Sequence, residues 1–185
     1  MASTQAKHKF KVVLLGEGKV GKSSIVLRYV KNEFADVHSE TQKASFLSKK
    51  LNIAGERIML EVWDTAGQEK YHAVTNVYYR NSQGKDLVIA GNKIDLESSR
   101  AVNIADAESY AESVGATHYN TSAKLDKGIE QMFLQLTKGM LKSQITNSPT
   151  QSDDLKATNS RTNKTGGIVV TDTSPPKSDG GCKCH

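Results

Sequence analysis

Residues 16–23 read Gly-Glu-Gly-Lys-Val-Gly-Lys-Ser, a G-x-x-x-x-G-K-S loop. The apolar run from Phe10 to Leu15 leads into it. The segment from Lys22 to Phe34 leaves it with Ile25, Val26, Tyr29 and Val30 on one helical face. A loop of this pattern between a buried strand and a helix binds the chain to a parallel α/β arrangement. Its glycines let successive backbone N–H groups point into one concavity, and the start of the helix adds partial positive charge. The ligand such a concavity takes is a polyphosphate, with Lys22 placed to reach the outer phosphates and Ser23 to ligate Mg²⁺. The bland alternative is a glycine-rich turn with a chance lysine.

The rest of the body continues the alternation of strands and helices. Residues 46–53 and 57–64 look like strands joined through Ala54-Gly55-Glu56. In the second, Ile58, Leu60 and Val62 share one face, and Met59, Glu61 and Trp63 the other. Residues 86–92 form another short buried strand. A helix opened by Asn103 and closed by Gly115 turns Ile104, Ala107, Ala111 and Val114 inward. Residues 117–123 read as a last strand. A final helix then carries Ile129, Met132, Phe133, Leu136 and Met140 at helical spacing. This order predicts a doubly wound, mostly parallel α/β sheet with helices on both faces.

Three further motifs narrow the ligand. Asp64, at a strand end and followed by Thr65-Ala66-Gly67-Gln68, is the second carboxylate such a site needs, holding Mg²⁺ through water. Asn92-Lys93-Ile94-Asp95 follows a strand, where α/β sheets present their ligand loops. A carboxylate there accepts both the N1–H and the exocyclic amine of guanine, a donor pair that adenine lacks. Thr121-Ser122-Ala123-Lys124 also follows a strand, and its backbone N–H can donate to the guanine O6. Each tetrapeptide alone is as often a surface turn. Their order after the phosphate loop and the Asp64 motif makes them specific together, and an ATP-dependent reading conflicts with Asp95.

With these motifs in place, residues 10–143 resemble a small GTPase of the Ras superfamily, of the Rab type and most similar to its early-endosomal branch. The resemblance implies a P-loop NTPase fold, a slow intrinsic GTP hydrolase and a GTP/GDP switch in vesicle traffic. It places nucleotide contacts at Gly16, Gly18, Val20, Gly21, Lys22, Ser23, Ser24, Phe34, Thr41, Asp64, Gly67, Asn92, Lys93, Asp95, Ser122, Ala123 and Lys124. Ser23, Thr41 and Asp64 would serve Mg²⁺, Phe34 would pack against guanine, and Gln68 would orient the hydrolytic water. Phe46, Trp63 and Tyr78 match the aromatic triad that meets effectors; for Phe46, core packing is the competing reading. No residue stands out as an internal arginine finger. The implied partners are a GTPase-activating protein, an exchange factor, escort and dissociation-inhibitor proteins and effectors, with the chain itself a monomer. Gln42 stands where relatives usually carry an aliphatic residue, and Glu17 must point away from phosphate.

One departure from the family is large. Relatives carry a buried strand and a long helix between the segment matching residues 78–84 and the strand that ends at Asn92. Here only a short polar link separates them, so about one strand-plus-helix unit, roughly 30 residues, is missing near Gly84 and Lys85. Every residue expected to touch nucleotide survives. Two outcomes follow for the sheet. Residues 86–92 slide against residues 10–16, or a gap remains whose unpaired buried backbone groups cost about 1–3 kcal/mol each. The functional alternative is a variant that keeps the motifs and the lipid tail without binding nucleotide properly.

Composition changes beyond residue 143. All three prolines and both cysteines, Cys182 and Cys184, lie there, amid Ser, Thr, Asn, Asp, Lys and Gly. The expected organisation is a domain over 8–143 and a disordered tail over 144–185. A body without cysteine points to a reducing compartment. The ending Gly-Gly-Cys-Lys-Cys-His resembles the double-cysteine ends of Rabs. Both thiols would then carry geranylgeranyl groups and hold the chain on the cytoplasmic face of endosomal membranes, since two lipid chains anchor stably where one does not. A chance metal site at Cys182, Cys184 and His185 is the other reading. Ala2 in place of glycine argues against N-myristoylation. The apolar island 167–172, Gly-Ile-Val-Val-Thr-Asp, resembles a segment bound by escort proteins or is a chance cluster. The formal net charge of +5 is scattered and carries no aromatic-interleaved stripe, so no nucleic-acid partner is expected.

Overall fold

The computed structural model describes residues 6–36, 45–64, 87–146 and 164–172. The strand β1 (His8–Leu15) has Phe10, Val12 and Leu14 buried on one face and Val13 and Leu15 on the other. Burial on both faces is the condition of a central parallel strand. After the glycine loop come α1 (Lys22–Lys31), β2 (Ser45–Ile53) and β3 (Glu56–Asp64). The last two form an antiparallel hairpin whose Ala54-Gly55 turn places both residues at positive φ. β3 buries Ile58, Leu60 and Val62 while Met59, Glu61 and Trp63 stay half-buried, the alternation that its sequence predicts.

β4 (Leu87–Asn92), a 3₁₀ segment (Ile94–Ser99), α2 (Ile104–Ser113), β5 (Thr117–Asn120) and α3 (Ile129–Thr146) complete the expected series. Asn103 caps α2 by accepting a hydrogen bond from the Ala105 N–H at 3.1 Å. α1 and α3 cover one sheet face. Ile25, Val26 and Tyr29 of α1, with Ile129, Met132, Phe133, Leu136 and Met140 of α3, share a core with Phe10, Val12, Leu14, Leu60 and Val62. The Tyr29 and Phe133 rings stack with centroids 3.8 Å apart. α2 is less well covered than its sequence implies. Only Ala111 is buried; Ile104 is exposed, and Ala107 and Val114 are half-buried.

The sheet has six strands in the order β2-β3-β1-β6-β4-β5. The sixth, β6 (Lys164–Asp172), comes from the segment expected to be disordered tail. It lies between β1 and β4, parallel to both, with Leu14 opposite Ile168 and Ala90 opposite Val170. β5, expected to be the last strand, is thus followed by another. Neither expected outcome for the cut sheet occurs: β4 does not slide onto β1, and no gap remains. The domain boundary placed at residue 143 is likewise corrected, because α3 runs to Thr146 and β6 belongs to the core.

The physical reason is hydrogen bonding together with burial. An open slot between β1 and β4 would strand backbone donors and acceptors on both sides. A segment with apolar residues at alternate positions fills the slot and gains burial as well. Ile168 and Val170 are fully buried on the α1/α3 face, and each side chain contributes about 1.5–3 kcal/mol by leaving water. Gly167 opposes Leu87, whose Cδ1 would lie 3.3 Å from an added Cβ, so the slot is narrow at that point.

Candidate functional site

The phosphate loop runs from the end of β1 to the start of α1, at the edge where the parallel strands end. Gly21, the N-cap of α1, has φ +96°. A Cβ there would stand 2.4 Å from the Asn92 Nδ2, so only glycine allows that approach. Lys22 is buried and folds its Nζ back over the loop, donating to the Gly16 carbonyl at 2.9 Å and the Glu17 carbonyl at 2.8 Å. Those two carbonyls mark where a competing anion would draw the ammonium. Burial lowers the Lys22 pKa, with partial compensation from the nearby Asp64 carboxylate. Gly18, exposed, and Val20, buried, complete the loop, and Ser24 is half-buried at the start of α1.

Asp64 closes β3 beside this loop. Its Oδ2 accepts a 2.6 Å hydrogen bond from the Ser23 Oγ, and its buried Oδ1 has no partner among the described residues. Burial raises the Asp64 pKa, against the lowering effects of the Ser23 hydrogen bond and of Lys22. A buried carboxylate oxygen left without a donor, next to a hydroxyl and a phosphate loop, fits a hard divalent cation with oxygen ligands. Ser23 and Asp64 are therefore the residues that would hold Mg²⁺. Thr41, the third expected metal residue, lies outside the described residues, as do Gly67, Gln68, Tyr78, Gln42, Cys182 and Cys184.

The base-reading residues converge at the next strand ends. Asn92 is buried; its Nδ2 donates to the Val20 carbonyl at 3.0 Å, and its Oδ1 accepts from the Thr121 Oγ1 at 3.3 Å. One side chain thus ties the phosphate loop to both base-reading loops. Lys93 takes φ 64°, the left-handed turn that starts the 3₁₀ segment. Asp95 accepts a hydrogen bond from the buried Ser122 hydroxyl, which also receives the Leu125 N–H at 3.0 Å. The Ala123 carbonyl accepts from the Arg28 Nε at 2.8 Å, and Lys124 pairs with Asp36 at 3.2 Å. Phe34 is half-buried, with the Arg28 guanidinium 5.9 Å from its ring centroid.

Sequence reasoning missed two contributors. Arg28 on α1 fastens the Ala123 backbone, and nothing in its local pattern announces this. The second is β6 itself: a Cβ on Gly16, where φ is +144°, would lie 2.2 Å from the Val170 carbonyl oxygen. The phosphate loop therefore rests on β6, and Asn92 is in register with Asp172. The signal was a Gly-Gly followed by a β-branched run inside polar sequence.

The two described members of the aromatic triad sit together on the β2/β3 hairpin. Phe46 is exposed, pairs in register with Trp63 and stacks on it at 5.3 Å. Core packing is thereby excluded for Phe46. The Lys11 Nζ lies 4.2 Å from the Trp63 ring centroid.

A sequence profile of the Ras family matches residues 11–85 and 84–142 in two pieces that meet at the position of the missing unit. The chain is 46 % identical to the Ras-related protein Rab-21 of Mus musculus over 210 aligned positions, covering 95 % of this chain and 91 % of the relative. An alignment of 210 positions that uses 95 % of 185 residues leaves about 34 positions where this chain has no residue. Rab-21 of Homo sapiens is 52 % identical over 166 positions, with 74 % of each chain covered. Rab-5A of Dictyostelium discoideum is 35 % identical over 168 positions, covering 75 % of this chain and 84 % of the relative. Shared sequence over most of the length, on a nucleotide site assembled from the same motifs, makes this chain a member of the Ras family, a Rab-type small GTPase of the early-endosomal branch.

Proposed function

We propose that this chain binds GTP and GDP with Mg²⁺, hydrolyses GTP slowly and acts as a switch on endosomal membranes. One observation carries the reading: Asn92 holds the Val20 carbonyl at 3.0 Å while Thr121 holds Asn92. Phosphate-binding and base-reading loops therefore meet across a sheet in which β6 lies between β1 and β4.

The chemistry asked of the protein is positioning and charge neutralisation. The loop N–H groups from Gly16 to Ser24 cradle the phosphates, and Lys22 turns from the Gly16 and Glu17 carbonyls toward the outer phosphates. Ser23 and Asp64 would hold Mg²⁺, with Thr41 as the expected third residue, and the ion would supply neutralisation of phosphate charge. Asp95 accepts from the guanine N1–H and amine, and its Ser122 hydrogen bond fixes the orientation of the carboxylate. A backbone N–H of residues 121–124 would donate to the guanine O6. Gln68 orients the attacking water, and an activating protein would supply a catalytic arginine, a factor of about 10³–10⁵ in kcat.

The exposed Phe46 stacked on Trp63 would meet effectors; the resemblance assigns Tyr78, outside the described residues, the same role. Geranylgeranyl groups on Cys182 and Cys184 provide the anchor, and escort and dissociation-inhibitor proteins return the chain to the cytosol. Calorimetric titration with GDP and with ADP, with and without Mg²⁺, tests the reading. Tight Mg²⁺-dependent GDP binding with none for ADP is expected. A folded sample giving no heat with GDP would overturn it.

A further inference from the structure

The placement of β6 says more than that the sheet is closed. β6 differs from the other central strands in how it is attached. The His8 Nδ1 and Gln144 Oε1 lie 3.0 Å apart, which puts the end of α3 at the start of β1. β6 begins at that same edge, with Lys164 opposite Phe10. The seventeen residues 147–163 between them can extend to about 55 Å, far more than two adjacent points on one edge require. β6 can therefore leave and re-enter the slot without pulling on any other element.

The slot itself is selective. It accepts a parallel strand that carries Gly167 against Leu87, then Ile168 and Val170 toward the core, and Thr171, whose Oγ1 lies 3.4 Å from the Ala90 carbonyl. At its upper end the strand touches the nucleotide site twice. The Val170 carbonyl packs against Gly16 of the phosphate loop, and residue 172 pairs with Asn92. A seated β6 holds these two loops at the separation in which Asn92 reaches Val20; an empty slot leaves that separation undefined.

We propose that the slot between β1 and β4 is a binding site for an extended Gly-Gly-apolar strand, that this chain's own tail occupies it as a tethered, exchangeable ligand, and that its occupancy is linked to nucleotide binding. The linkage rests on the guanine-nucleotide reading above; the strand site does not. Linkage is reciprocal. Nucleotide holds the tail in the sheet, and any agent that captures residues 166–171 as an extended peptide weakens nucleotide binding.

The test uses the full chain with a protease site placed within residues 150–158, folded and then cut. The tail fragment of the unprenylated chain is labelled at Cys182 and Cys184. The fragment is expected to stay bound after cutting and to be displaced by excess synthetic peptide 164–172, but not by the peptide carrying Ile168→Asp. GDP with Mg²⁺ at 100 times its Kd is expected to raise fragment affinity by up to about 100-fold. Prompt loss of the fragment with an unchanged circular dichroism spectrum would overturn the strand site. A retained fragment indifferent to nucleotide, in a chain that binds GDP when intact, would overturn the linkage. If the intact chain binds no guanine nucleotide yet the fragment is retained and displaced as described, the strand site stands and the switch reading fails.

Discussion

Replacing Ile168 with alanine separates a tail that belongs to the core from one that does not. Ile168 is fully buried, packs in one cluster with Leu14 and Val88, and sits between them in register on the two flanking strands. Truncating such a side chain removes its transfer free energy and leaves a cavity, together about 2–5 kcal/mol. Taking about 3 kcal/mol and a urea m-value of about 1.5 kcal/mol/M, the midpoint of unfolding falls by about 2 M. A thermal scan of a chain this size should show a drop of about 6–12 °C. Thr171→Ala, one strand position beyond Val170, removes only the long 3.4 Å hydrogen bond to the Ala90 carbonyl and, as the internal control, should change stability by less than about 1 kcal/mol. Val169→Ala, on the half-buried face, should fall between the two. Equal midpoints for Ile168→Ala and the parent chain, with native circular dichroism in both, would refute the placement of β6 in the core.

Further outcomes follow from the site and from β5. Asp95→Asn exchanges a double acceptor for a group that also donates. It should abolish guanine preference and favour xanthine nucleotides, read by competition between GDP and XDP. Asp64→Asn should remove the Mg²⁺ dependence of nucleotide retention. In the parent chain, burial raises the Asp64 pKa above the ordinary 3.8, so protons should displace the cation at a higher pH than at an exposed carboxylate, measured as nucleotide release against pH. His118 on β5 has its pKa lowered below 6.5, chiefly by burial, so the folded state resists its protonation more than the unfolded chain does. Stability from this group is complete above pH 6.5 and is lost as pH falls toward the folded value. His118→Gln should flatten that part of a stability–pH curve.

Much of this architecture was legible in the sequence because each local signal agreed with the global one. The phosphate loop, the alternation in β3 and the apolar spacing of α3 each define an element whose burial the structure reproduces residue by residue. The strand-end motifs that carry Asn92, Asp95 and Ser122 were legible for the same reason: parallel sheets present ligand loops at one edge. What could not be read was a contact between residues far apart in sequence. Lys164–Asp172 has a short strand signal, but polar flanks and glycines gave it no partner, and only the vacancy left by the missing unit supplies one. α2 shows the converse. Its helical spacing sets Ile104 and Val114 on an inward face, but Ile104 is exposed and Val114 half-buried, so its pattern overstates its burial.

The central claim, that the tail strand completes the sheet and with it the nucleotide site, is tested most directly by amide hydrogen exchange across residues 164–172 of the intact, GDP-loaded chain. Protection far above that of an unstructured peptide, approaching that of β1 as GDP saturates, is the predicted result. Exchange at the rate of an unstructured peptide, while β1 and β4 remain protected, would contradict it.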